Sequence, residues 1–250
     1  MISSVRKQLR LVDYMTLAFI LVNIAFIAAG WNAIEDPLPL AGGYAACLLA
    51  SIAVIAAGGP PASPLPSSRV GRVVRWTHGL IREAYPMAFL AHFFVAVTFF
   101  DTVIFKDDLD PWFMSMETSL FGSVPSSWLM LEYDSLLLSE ILHGSYVLYY
   151  ATIPGLALWL YVKNRKALPE YVAVAMSIFY VTCLSYIVLP VVGGRFDPAT
   201  KALTEAFRHG PFTRIMAFIY STSDHAGAAF PSTHAIVSIV IALTARRHAK

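Results

Sequence analysis

Five apolar stretches, roughly Leu11 to Ala29, Leu38 to Ala57, Ala84 to Phe105, Ile141 to Val162 and Tyr171 to Val192, leave this chain few ways to fold. A helix rises about 1.5 Å per residue and a hydrocarbon core is about 30 Å thick, so each stretch is nearly long enough, or long enough, to cross a bilayer. A sixth begins at Pro231 and reaches Ala245 before Arg246 and Arg247 interrupt it. It is short, and relies on the two arginines reaching out to the interface. Hydrophobic residues are 57% of the chain and charged ones 14%, which excludes an ordinary soluble domain. The expected fold class is therefore all-α, a multi-pass transmembrane helical bundle of six spans with interfacial helices on the outer face.

The charges orient it. Arg6, Lys7 and Arg10 precede the first span; Arg69, Arg72, Arg75 and Arg82 follow the second; Lys163, Arg165 and Lys166 follow the fourth; Arg246, Arg247 and Lys250 follow the sixth. Alternating spans put all of these on one face, which the positive-inside rule makes cytoplasmic. The N-terminus is then inside, and the expected location is the plasma (inner) membrane. The net charge of +2 itself says little, and no nucleic-acid partner is expected. No cleavable signal peptide is read at the N-terminus, and Gly59 to Ser68 reads as a cytoplasmic linker. Cys47 and Cys183 fall in different spans and read as small core residues.

The opposite, outer face receives Glu35, Asp36, the acidic stretch Lys106 to Glu140 and the connection from Gly193 to Phe230. Two parts of it are too apolar for simple loops. Pro111 to Leu138 is expected to lie along the interface or dip back into it. Leu203 to Tyr220 is expected to form an amphipathic helix broken near Gly210 and Pro211, with Phe207, Phe212, Ile215, Met216 and Ile219 as its apolar side. They read either as interfacial anchors or as the roof of an outward-facing cavity that a lipid enters sideways.

The chemistry concentrates in Gly227-Ala228-Ala229-Phe230-Pro231-Ser232-Thr233-His234, which runs straight into the sixth span. Pro231 suits a first helical turn, Ser232 suits a cap, and the free amides and dipole of a helix start attract an anion. His234 is then placed to give or take a proton beside that anion. Asp101 and His143 sit near the outer ends of the third and fourth spans, where ionisable groups are costly unless paired or wet. They read as groups that orient the site or recognise a head group, or as a mutual pair. Tyr146, Tyr149 and Tyr150 read as packing aromatics or as cavity lining, His92 as a satisfied core histidine and Pro154 as a kink in the fourth span.

Phe230-Pro231-Ser232-Thr233-His234-Ala235, following a span that ends Leu189-Pro190-Val191-Val192-Gly193-Gly194-Arg195-Phe196, resembles the type 2 phosphatidic acid phosphatase superfamily. Leu142-His143-Gly144-Ser145-Tyr146 with Tyr149-Tyr150, and Leu120-Phe121-Gly122 before it, look like the branch near inositol phosphorylceramide synthases. The resemblance covers about 84–250, leaving 1–83 as an N-terminal two-span segment. It implies that Arg195 holds a phosphate oxygen, that Ser232 and the amides of Thr233 and His234 complete the cradle, and that His234 protonates the leaving alcohol oxygen. A second histidine attacks phosphorus in that scheme, and no metal or other cofactor is implied.

The chain departs from the pattern twice. Val188 stands where the broader superfamily has Lys, seven positions ahead of Arg195. The third motif, which supplies the nucleophilic His and its Asp, is not found before Lys250, so the expectation is of a longer parent in which that motif follows. His143, His209 and His225 are the conceivable substitutes. The expected function, that of the longer parent with the present piece inactive alone, is hydrolysis of a lipid phosphomonoester or pyrophosphate through a phosphohistidine at the outer face. The alternatives are phosphotransfer to a lipid alcohol and a non-catalytic membrane protein with a relic site.

Overall fold

The computed structural model describes residues 9–59, 66–105, 107–133, 135–194, 200, 210–222 and 228–248, without the side chains of Asp101, Thr102 and Thr222. The described residues form α1 (Leu11–Ala29), α2 (Pro37–Ala57), α3 (Arg69–Ala84), α4 (Leu90–Val97), α5 (Asp101–Ile104), α6 (Asp110–Phe121), α7 (Pro125–Glu132), α8 (Leu136–Lys163), α9 (Leu168–Val188), α10 (Pro211–Thr222) and α11 (Thr233–His248). Short 3₁₀ segments, Tyr85–Phe89 and Thr98–Phe100, join α3 to α4 and α4 to α5. Five helical stretches are long and apolar enough to cross a membrane: α1, α2, the run Arg69–Phe100, α8 and α9. This is the expected multi-pass helical bundle. Helix α11, at 16 residues, spans only about 24 Å.

Helix α9 is the hub. Leu168, Tyr171, Val172, Ala175, Met176, Phe179, Tyr180, Cys183, Tyr186 and Ile187 are buried, falling on successive turns so that α9 packs against α1, α4, α8 and α11. Phe19 of α1 stacks on Tyr180 at 4.5 Å, Phe93 of α4 meets Phe19 edge-on at 5.0 Å, and Tyr44 of α2 lies over Phe93 at 5.7 Å. Four helices are thereby pinned by aromatic contacts of the favoured offset and edge geometries. His92, expected to be a satisfied core histidine, instead packs its ring against Tyr44, and its buried Nε2 has no hydrogen-bond partner among the described residues.

The sequence puts the third crossing at Ala84 to Phe105; the helical stretch long and apolar enough to cross runs from Arg69 to Phe100. Arg82 lies level with the start of α1: its guanidinium binds both carboxylate oxygens of Asp13, at 2.9 and 2.6 Å, and its carbonyl accepts from Arg10 at 3.5 Å. Glu83 lies level with the turn after α8, where Arg165 donates to it. Helix α3 therefore runs along the basic face, and the chain turns into the bundle through Pro86, which cannot donate a helical hydrogen bond. Pro154, read from sequence as a kink, lies inside α8, whose helix runs for 28 residues.

The fifth span ends at Val188, four residues before the expected Val192. Pro190 is the cause: the residue before a proline is pushed out of the helical region, and Leu189 has φ −134° and ψ 75°.

Candidate functional site

Because helix α9 stops early, residues 190–194 run extended across one end of the bundle and become a joint. The Pro190 carbonyl accepts from Leu109 N at 2.8 Å, and the Val191 carbonyl accepts from Ala229 N at 3.0 Å. Asp110, at the first turn of α6, accepts the Val192 and Gly193 amides at 2.7 and 2.6 Å. Gly193 has φ 91°, and a Cβ there would sit 2.7 Å from that of Ala229, so only glycine fits this crossing. The segment leading to Arg195 and the turn leading to His234 are thus fastened to one another. Arg195 itself lies outside the described residues.

Helix α11 starts two residues later than Pro231 would suggest. Ser232 caps it, its Oγ accepting from Ala235 N at 3.3 Å, and the first helical residue is Thr233. Pro231 accordingly sits ahead of the cap and not in the first turn, because a cap must directly precede the helix. Its carbonyl accepts from the Tyr186 hydroxyl at 2.9 Å. Thr233 is buried, its hydroxyl bonded to Tyr186 and, at 3.0 Å, to Thr182, so α9 sets the depth of the helix start. What Thr233 can offer an anion is its backbone amide.

His234 points the other way, into α8. Tyr146 stacks on the imidazole at 4.2 Å and its hydroxyl lies 3.1 Å from Nδ1; the Tyr149 and Tyr150 rings lie 4.4 and 5.8 Å away. Nε2 is buried and has no hydrogen-bond partner among the described residues. A buried ring nitrogen with a fixed orientation and no partner is a place where a ligand atom fits. Of the two readings of the tyrosines, all three wrap the histidine and none lines the neighbouring cavity.

That cavity, about 780 Å³, lies under α6, α7 and α10, with Val191, Gly194, Ala229 and Phe230 on its inner wall. It is the roofed space expected from the two apolar outer segments. His143 lines it; His234 does not, and sits beyond the wall that Phe230 helps to form. The His143 Nδ1 lies 2.8 Å from the Ser139 carbonyl, which can only accept, so Nδ1 carries the hydrogen and Nε2 the lone pair. His143 is paired with its own helix and not with His234. One turn earlier, Glu140 accepts the amides of Phe212 and Thr213, at 2.8 and 3.0 Å, and the Thr213 hydroxyl. This carboxylate fixes the start of α10, where opposite charge suits the helix dipole. Of the expected apolar side of that helix, Met216 is buried while Phe212 and Ile215 face outward. Residues 201–209, with Phe207 and His209, lie outside the described residues, as do His225 and the Asp101 side chain.

Asp110 and Glu140 are not among the residues picked out from sequence. Glu140 could have been found, since it lies on an apolar helix, as Asp101 and His143 do. Asp110 gives no such signal, because its partners are some eighty residues away in the chain. Its neighbour Asp108 is pushed above the ordinary carboxylate range, first by partial burial and then by repulsion from Asp110 and Asp107. This rim is therefore acidic where it meets the 190–194 joint.

The described residues thus define a class, a multi-pass helical membrane bundle with a capped helix start, a half-buried imidazole and an adjoining cavity. The family model of the PAP2 superfamily matches residues 111–250, more than half of the chain, and the chain belongs to that superfamily. No curated protein and no solved structure matches it.

Proposed function

We propose that the chain binds the phosphate of a membrane lipid at the outer face and acts in hydrolysis of a lipid phosphomonoester or pyrophosphate. The observation that carries the reading is the His234 imidazole: half-buried, oriented by Tyr146, with a buried Nε2 that has no partner among the described residues, and second in a helix capped by Ser232. The amides of Thr233 and His234 and the Arg195 guanidinium hold the phosphate oxygens, and residues 84–250 carry the site on a scaffold completed by 1–83. His234 delivers its Nε2 proton to the alcohol oxygen as the P–O bond breaks. An imidazole nitrogen elsewhere forms the P–N bond, and water then cleaves it, its proton returning to His234 and orthophosphate leaving. The Tyr146 hydroxyl suits both halves, since it accepts from Nδ1–H of the imidazolium and of the neutral ring alike, which leaves Nε2 to give and take the proton. His143, His209 and His225 are the candidate nucleophiles in this chain, and His143 carries a lone pair on Nε2.

In the second reading an alcohol, such as an inositol or sugar-lipid hydroxyl, takes the place of water. The experiment incubates the purified chain in mixed micelles with phosphatidic acid or a lipid pyrophosphate, with and without alcohol acceptors. Orthophosphate release that falls about 10²- to 10⁴-fold in His234→Asn supports hydrolysis; a phosphodiester product appearing with the acceptor supports transfer. A folded chain that gives neither product, and binds vanadate as well after His234→Asn as before, overturns both and leaves a relic site.

A further inference from the structure

The basic end of the bundle, away from His234, carries a second cavity of about 560 Å³ lined by Arg10, Arg72, Arg75, Arg165, Trp76 and Tyr161. Its arginines come from three places in the fold: the residue before α1, the helix α3 and the turn between α8 and α9. We propose that this cavity binds the phosphate of an anionic phospholipid head group. The inference is independent of any chemistry at His234.

The site is built, not a chance gathering of exposed charge. Helix α3 comes close to the end of α8 because Gly79 has no side chain; a Cβ there would strike the Tyr161 hydroxyl and lie 2.8 Å from Arg165 Nη2. The Tyr161 hydroxyl donates to the Trp76 carbonyl at 2.7 Å, which locks the two helices together. The Arg165 guanidinium lies 4.6 Å from the Tyr161 ring centroid, and its Nε and Nη2 donate to one oxygen of Glu83, at 2.9 and 2.8 Å. Arg72 is steadied by the Ser67 carbonyl, 2.8 Å from Nη1. A guanidinium has five N–H donors, so Arg165 and Arg72 keep donors beyond these.

Charge explains why an anion is needed. Asp13 has both carboxylate oxygens on Arg82 and is not part of the lining, and Glu83 faces Arg165. Glu83 brings one negative charge to a space lined by four guanidinium groups, and a phosphate matches the planar forks of Arg72 and Arg165 best. The depth explains why a lipid supplies it. Around α3, Val70, Val73, Val74 and Ile81 are exposed, so the helix presents an apolar side to acyl chains with its arginines at the level of the head groups.

The test uses the full chain in detergent, with native mass spectrometry of retained phosphatidylglycerol and phosphatidylcholine of equal acyl length, and a parallel titration with inorganic phosphate. Phosphatidylglycerol is expected to be held at least tenfold more tightly than phosphatidylcholine, and Arg72→Gln with Arg75→Gln to weaken it about tenfold or more. Lys163→Gln with Lys166→Gln, outside the cavity, is expected to leave retention unchanged. Inorganic phosphate bound with the same dependence on Arg72 and Arg75 also supports the site and makes free phosphate its ligand. Equal retention of the two lipids with no phosphate binding overturns the proposal, as does a glutamine variant that stays monodisperse and binds like wild type. If the glutamine pair does not fold, Arg72→Lys with Arg75→Lys replaces it; unchanged phosphatidylglycerol retention there counts equally against the guanidinium site.

Discussion

At the basic end Asp13 and Arg82 are both buried and bind each other in bidentate fashion, with Tyr85 and the Arg10 amide completing the carboxylate's bonds. At the opposite end Asp110 and Glu140 bind backbone amides of distant segments, while the His234 Nε2 is left without a partner. The first arrangement joins helix to helix and leaves the Asp13 carboxylate fully satisfied. The second fixes the course of irregular backbone around a cavity and keeps one polar atom unmet. The Asp13–Arg82 pair and the His234 site thus differ less in residue type than in whether the bonds of each group are closed, although the buried Glu83 Oε2 beside that pair also has no partner among the described residues.

The sharpest way to break the comparison is Asp13→Ala. It removes the carboxylate from a guanidinium that is 2% exposed, and loss of one partner from a buried pair costs about 3–5 kcal/mol. Thermal unfolding in detergent should show it; a loss below about 1 kcal/mol would mean the basic end is not the rigid scaffold described. Gly193→Ala tests the joint at the other end. The positive φ and the approach of Ala229 together predict a loss of about 2 kcal/mol, with faster amide exchange at Val192 and Ala229 than in wild type. A silent Gly193→Ala would show that the two segments are not held together. Arg247→Gln sets the lower bound: its pair with Glu170 joins side chains 69% and 59% exposed, so the change should stay within about 0.5 kcal/mol.

What the sequence made legible follows from what carries a local signal. Apolar length marks the crossings: α1 and α2 fall where they were expected and α8 covers its expected stretch, because a crossing takes about 20 predominantly apolar residues. The Ser232 cap and the placement of His234 were equally local. Three features were not. The end of α9 depended on Pro190, whose effect falls on the residue before it. Asp110 looks like any acidic residue at a helix start, and only the fold brings Val192 and Gly193 to it. The tyrosines of α8 have the spacing of ordinary packing aromatics, and their common target lies some eighty residues on.

His234→Phe is expected to change stability little and is the most direct test of the contrast between the two ends. The substitution keeps an aromatic ring for Tyr146 and Tyr149 to pack on and removes both nitrogens. Its cost is the Tyr146 bond to Nδ1, about 1 kcal/mol, and its gain is that a buried nitrogen without a partner no longer has to be kept from water. The two nearly cancel, so the melting temperature should stay within a few degrees of wild type while vanadate binding is lost. If the site end were instead closed in the manner of Asp13 and Arg82, with Nε2 engaged in a structural bond, removing it would cost several kcal/mol. A large fall in melting temperature would therefore make His234 a structural residue and remove the basis for assigning it a proton.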